Sequence, residues 1–137
     1  MSLIKCCINK NYKDALFIIK SGNFDPFETD SNNSTPLILS CVNRWDFIAK
    51  KLIECSNLSH VNNDGNTALI ISIKQYMIET LICLLETGKS NPSHVDNDGN
   101  TALIYVCACY NYKNTNFFLE LIETGESNPS HANKTGN

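Results

Sequence analysis

The sequence predicts an all-α solenoid of about four helix–turn–helix units joined by β-hairpin-like turns. Three observations predict it. The block Val61 to Ile70 (VNNDGNTALI) recurs 34 residues later as Val95 to Ile104 (VDNDGNTALI). A second block, Leu85 to His94 (LETGKSNPSH), returns in phase as Ile122 to His131 (IETGESNPSH). Between these blocks the apolar residues fall at helical spacing. Self-similarity at such a period marks stacked supersecondary units, each too small to bury a core alone.

The first unit spans about 1–29. Helices are expected over about 2–9 and 12–20, with Ala15, Ile18 and Ile19 facing inward and Gly22 as the stop. No turn motif precedes it, so it reads as an N-terminal cap. The second unit, about 30–61, opens on a weaker turn, Asp30 to Ile38, shifted by 32 residues from the next. Thr35 is its N-cap, and Pro36 takes the first helical position, where a missing N–H costs nothing. Its second helix carries Trp45, Ile48, Ala49 and Leu52 on one face.

The third unit, about 62–95, repeats the pattern. Thr67 caps a helix over 67–75, and Ile78, Leu81, Ile82 and Leu85 form the inward face of the next. Gly88 ends it in a left-handed conformation. Gly65 and Gly99 sit in turns that need positive φ. The fourth unit, about 96–132, has Thr101 as cap, a first helix over 101–110, and Phe118, Leu121 and Ile122 in its second. Gly125 is its stop. Residues 133–137 begin a further, truncated repeat.

Composition narrows the function. The net charge is −3, and no dense Lys/Arg cluster appears, so no nucleic-acid footprint is expected. The longest apolar runs are far short of a membrane span, and the N-terminus does not read as a signal peptide. Seven cysteines at irregular spacing, mostly in apolar helical runs, read as buried reduced thiols in a cytoplasmic protein. Asn makes up roughly one residue in seven.

The order of turn, Gly, Thr-(Pro/Ala)-Leu, helix, and second helix ending Leu-Leu-Glu-Thr-Gly resembles the ankyrin repeat over nearly the whole chain. Thr35 to Ile38, Thr67 to Ile70 and Thr101 to Ile104 stand where that family has Thr-Pro-Leu-His. Ile38, Ile70 and Ile104 replace the His, so its hydrogen bonds are lost and looser turns are expected. The connections Lys89 to His94 and Glu126 to His131 are one residue longer than usual. The Asn/Ile-rich repeats look like those of giant DNA viruses or protists. That resemblance implies an adaptor to host or cellular proteins, in the host cytoplasm if viral.

The resemblance implies a protein–protein interaction module that grips another protein with its turn tips and the concave face of its first helices. Carried over by position, the tips are Ser31, Asn32 and Ser34, then Asn63, Asp64 and Asn66, then Asn97, Asp98 and Asn100, with Asn133 and Lys134 in a fourth. Positions near the first-helix ends are Val42 and Asn43, Lys74 and Gln75, and Ala108 and Cys109. Arg44, Tyr76 and Tyr110 lie at the turns between helices. Aromatics favour binding anchors, which singles out Tyr76, Tyr110 and Tyr112.

Two rivals are weaker. His60, His94 and His131 recur in phase, but neighbours in a stack lie too far apart to converge on one zinc ion, so a structural role is expected. Cys and His could pair as a hydrolase, yet no nucleophile elbow, oxyanion-hole motif or phosphate loop is present. No enzyme activity, cofactor or metal is expected. The chain stops where a further helix should begin, so a fragment of a longer array, self-associating weakly through an uncapped C-terminal end, is the alternative.

Overall fold

The computed structural model describes residues 1–109. Within them the chain forms seven helices: α1 (Leu3–Ile8), α2 (Tyr12–Ser21), α3 (Pro36–Val42), α4 (Asp46–Ile53), α5 (Ala68–Lys74), α6 (Ile78–Glu86) and α7 (Ala102–Cys109). Among the described residues there is no strand. The expected Phe118, Leu121 and Ile122 helix, Gly125, His131, Tyr110, Tyr112, the fourth tip and the C-terminal end lie outside this range.

Helices this short do not persist alone in water, so packing must hold them. Each pairs with its sequence neighbour: α1 with α2, α3 with α4, α5 with α6. The first helices then pack in the row α1–α3–α5–α7, and the second helices in the row α2–α4–α6. Among the described residues no helix reaches past an adjacent unit. The core is therefore a continuous sheet of side chains between two helical layers. Leu37, Ile48, Leu52, Leu69, Ile73, Leu81 and Leu84 are fully buried in it. Each contributes roughly 1.5–3 kcal/mol of transfer free energy.

The helix starts follow the expected chemistry. Thr35, Thr67 and Thr101 accept from the N–H of Ile38, Ile70 and Ile104 at 3.3, 3.3 and 3.4 Å. Pro36 stands at the start of α3. Gly22 and Gly88 end α2 and α6 with φ of +72° and +67°. The α4 end lacks such a glycine, and Glu54 stays right-handed there.

The α6 face differs from expectation. Ile78 is 37 % exposed and Ile82 only half-buried, whereas Met77, Thr80, Leu81, Leu84 and Leu85 are buried. The helix is rotated because Thr80 turns inward to donate to Asp46 Oδ1 at 2.8 Å, tying α6 to α4. The cysteines split too. Cys6, Cys7 and Cys41 are buried, but Cys55 and Cys107 are exposed, and all seven are free thiols.

Candidate functional site

Three turns stack along one edge, at the N-terminal ends of α3, α5 and α7. Each is closed by a hairpin-like backbone bond: Asp30 N to Ser34 O, Asn62 N to Asn66 O, and Asp96 N to Asn100 O, at 2.9–3.0 Å. Inside each, one side-chain oxygen accepts two backbone N–H groups. Asp30 Oδ1 accepts from Asn32 and Ser34, Asn62 Oδ1 from Asp64 and Asn66, and Asp96 Oδ1 from Asp98 and Asn100. This short-range chemistry is why Asp and Asn favour turns. These three residues organise the tips, and the repeat places them in phase.

Neighbouring turns are also stapled to each other. Asn63 N–H donates to Asn32 O at 2.9 Å, and Asn32 Nδ2 to Asp64 Oδ2 at 2.8 Å. Asn62 Nδ2 donates to Ser34 Oγ, and Asn97 Nδ2 to Asn63 O, both at 3.1 Å. His60 Nε2 lies 2.7 Å from Asn33 O, and His94 Nε2 lies 2.8 Å from Gly65 O. A carbonyl can only accept, so Nε2 carries the proton in both rings. His60 and His94 are therefore turn-to-turn clamps, and Ile38 and Ile70 are buried.

The tip residues fall into two groups. Asn63, Asp64, Asn97 and Asp98 are exposed, as is Ser31, while Asn32 is half-buried. Ser34 is not a tip residue: it is 2 % exposed and receives the Asn62 amide. Asn66 and Asn100 are half-buried and engaged inward, Asn66 with Lys74 Nζ at 3.4 Å and Asn100 with Tyr105 Oη at 3.2 Å.

Lys74 and Tyr105 form a polar knot on the first-helix layer. The Lys74 ammonium sits 4.5 Å from the Tyr105 ring centroid, a cation–π contact between α5 and α7. The Tyr105 hydroxyl donates to Asp96 Oδ2. Burial, then the bond to Asp96, pushes the phenol up to about 12. Sequence reasoning passed over Tyr105, since its unit equivalent is not aromatic.

The opposite ends of the first helices carry a second edge. Gln75 is the half-buried C-cap of α5, and Tyr76 beyond it is 54 % exposed. Tyr76 has φ +56°, Arg44 +60° and Lys10 +57°, each at the turn between the two helices of its unit. Asn43 Nδ2 donates to Cys7 O at 2.9 Å, so that amide closes the end of α1. Val42 and Ala108 are exposed, and Cys109 is half-buried.

Five of the thiols are shifted away from nucleophilic chemistry. Burial pushes Cys7 and Cys41 up to about 12, and also raises Cys6, Cys55 and Cys107. An activated nucleophile needs the opposite shift. Among the described residues no group of His, Cys, Asp and Glu could hold a metal ion, and no helix is long and apolar enough to cross a membrane.

Comparison with known proteins agrees with this architecture. A family described as ankyrin repeats (3 copies) matches residues 3–92 and 46–132. No curated protein sequence matches significantly. Among solved structures, an ankyrin repeat domain from Acinetobacter baumannii is similar at 27 % identity and a TM-score of 0.79. The similarity covers 98 % of this chain and 68 % of that one.

Proposed function

The chain belongs to the ankyrin-repeat family, and from that premise we propose that it is an adaptor that binds a partner protein through its turn tips and first-helix face. Members of this family are generally protein–protein interaction modules and are typically not enzymes. One observation carries the finer reading. Asn63, Asp64, Asn97 and Asp98 stand exposed on turns already locked to their neighbours by backbone and side-chain bonds. A surface organised before binding loses little conformational freedom when a partner arrives. Lys74, Gln75, Tyr76, Asn66 and Asn100 extend it across the first-helix layer, and Tyr110 and Tyr112 belong to the same proposed surface by position. The free thiols are in keeping with the reducing, cytoplasmic setting proposed for it.

The test is an affinity pull-down from source-cell extract. The wild-type chain is compared with a variant carrying Asn63, Asp64, Asn97, Asp98 and Tyr110 changed to Ala. A specific protein retained by the wild type and lost by the variant is expected. A partner held equally by both would place binding elsewhere.

A further inference from the structure

We propose that the Asp98–Gly99 bond is a site of spontaneous isoaspartate formation, and that its sequence twin, Asp64–Gly65, is held shut by the neighbouring turn. The modification needs no partner protein, so it stands apart from the adaptor reading.

The chemistry is intrinsic to the residue pair. The Gly amide nitrogen attacks the side-chain carboxyl carbon of the preceding Asp, and a C–N bond forms. The hydroxyl of the protonated carboxyl leaves with the amide proton as water. The product is a five-membered succinimide. Water then opens the ring at either carbonyl, which restores Asp or yields isoaspartate. Glycine favours the attack because no side chain shields its nitrogen. Water is the sole co-reactant.

The two pairs sit in identical local sequence. Residues 63–70 and 97–104 both read NDGNTALI. Any difference in reactivity between them therefore comes from the fold. Both glycines are left-handed, with φ +81° and +83°. Both have the N–H engaged, Gly65 with Asn62 O and Gly99 with Asp96 O, each at 3.0 Å. Ring closure must break that bond and swing the Asp side chain onto the nitrogen. It proceeds only from a locally opened turn.

The carboxyl groups are where the copies differ. Asp64 Oδ2 accepts from Asn32 Nδ2 of the preceding turn at 2.8 Å. Asn32 is itself fixed, since its N–H is held by Asp30 Oδ1 and its carbonyl takes the Asn63 N–H, both at 2.9 Å. The reacting group of Asp64 is thus tied to the unit before it. One unit later, Asp64 stands where Asn32 stood, and a carboxylate has no proton to donate. Among the described residues the Asp98 carboxylate accepts no hydrogen bond. It is exposed and untethered beside the same Gly nitrogen.

Isoaspartate at 98 unmakes its turn. The main chain gains a methylene ahead of Gly99 N. The bonds from Gly99 N–H to Asp96 O and from Asn100 N–H to Asp96 Oδ1, at 3.0 and 2.8 Å, lose their spacing. Asp96 also holds the Tyr105 hydroxyl, so the change reaches α7.

The experiment is ageing of the full chain at neutral pH, below its unfolding midpoint, beside the same chain in urea. Trypsin releases Asp64 in residues 52–74 and Asp98 in residues 90–113. Chromatography separates each isoaspartyl peptide from its parent of equal mass, and electron-transfer fragmentation places the altered residue. In urea the two peptides should convert at the same rate. In the folded chain both should slow, and the Asp98 peptide should convert about tenfold faster than the Asp64 peptide, the factor that one hydrogen bond to a carboxylate supplies. Asn32→Ala should bring Asp64 up to the rate of Asp98 and leave Asp98 unchanged, with circular dichroism confirming that the variant is folded. Equal conversion of the two peptides in the folded wild type, faster conversion of Asp64, or conversion of neither overturns the proposal without recourse to a variant. A folded Asn32→Ala chain in which Asp64 stays slow overturns the hold assigned to Asn32.

Discussion

Gly65 and Asn97 touch where consecutive turns stack: a Cβ on Gly65 would stand 2.6 Å from the Asn97 backbone nitrogen. The same atom would lie 2.5 Å from Asn97 Oδ1. Gly65 also has φ +81° and gives its carbonyl to His94. The two conditions, left-handed backbone and no room, act together. Gly65→Ala is expected to destabilise the chain by about 2–4 kcal/mol, since the Asn97 backbone cannot yield as a side chain would. Gly88→Ala meets nothing within 4 Å at φ +67°, so only the conformational cost of about 1 kcal/mol applies. Urea unfolding of both variants checks this. Equal losses would mean that the turns are not packed as described.

The clamps make a second prediction. His94→Ala removes one donor to Gly65 O, and His60→Ala removes one to Asn33 O. Each should lose about 1 kcal/mol. The double variant should raise amide exchange at the turns before it affects the core-facing residues of α3 and α5. Uniform acceleration across the chain would argue that the rings serve the core and not the turn edge.

Asp96 is expected to be worth more than any exposed tip residue. Its Oδ1 holds the Asp98 and Asn100 N–H groups at 3.0 and 2.8 Å, and its Oδ2 holds the Tyr105 hydroxyl. Asp96→Ala orphans three donors in a site that is 7 % exposed, for a loss of about 3 kcal/mol. Asp98→Ala should stay within about 0.5 kcal/mol of wild type. Thermal unfolding of the two variants separates the roles.

The Tyr105 phenol supplies a pH signature. Its folded value of about 12 lies above the ordinary 10, so the folded state holds that proton more tightly. Its contribution is therefore complete at neutral pH and is lost as pH rises from 10 through about 12. Spectrophotometric titration of the phenolates should show a late component that vanishes in Tyr105→Phe. If that component persisted in Tyr105→Phe, the Asp96 bond would not be its source.

The helices and caps were legible because their signals are local. Thr35, Thr67 and Thr101 precede apolar runs, and Gly22 and Gly88 follow them, so the boundaries fell within about two residues. The α6 face was misjudged because Thr80 counts as polar until its partner Asp46, on another helix, is known. The tip edge was legible in outline, since Asp and Gly recur in phase. Which tip residues face outward was not, because Ser34 is buried by Asn62 from the following unit. The opposite edge was only partly visible. Arg44 and Tyr76 could be placed at turns, but periodicity says nothing about the sign of φ.

That sign yields the last prediction. Replacing Tyr76 or Arg44 by Gly relieves a left-handed cost of about 1–2 kcal/mol and returns about 0.4–1 kcal/mol through a freer unfolded chain. Each substitution should therefore stabilise the chain by about 0.5–1 kcal/mol, although it deletes a large side chain. Arg44 is exposed, so little packing is lost there to offset the gain. Urea midpoints at neutral pH provide the measurement. A clear loss of stability in both variants would show that these side chains are held by the fold.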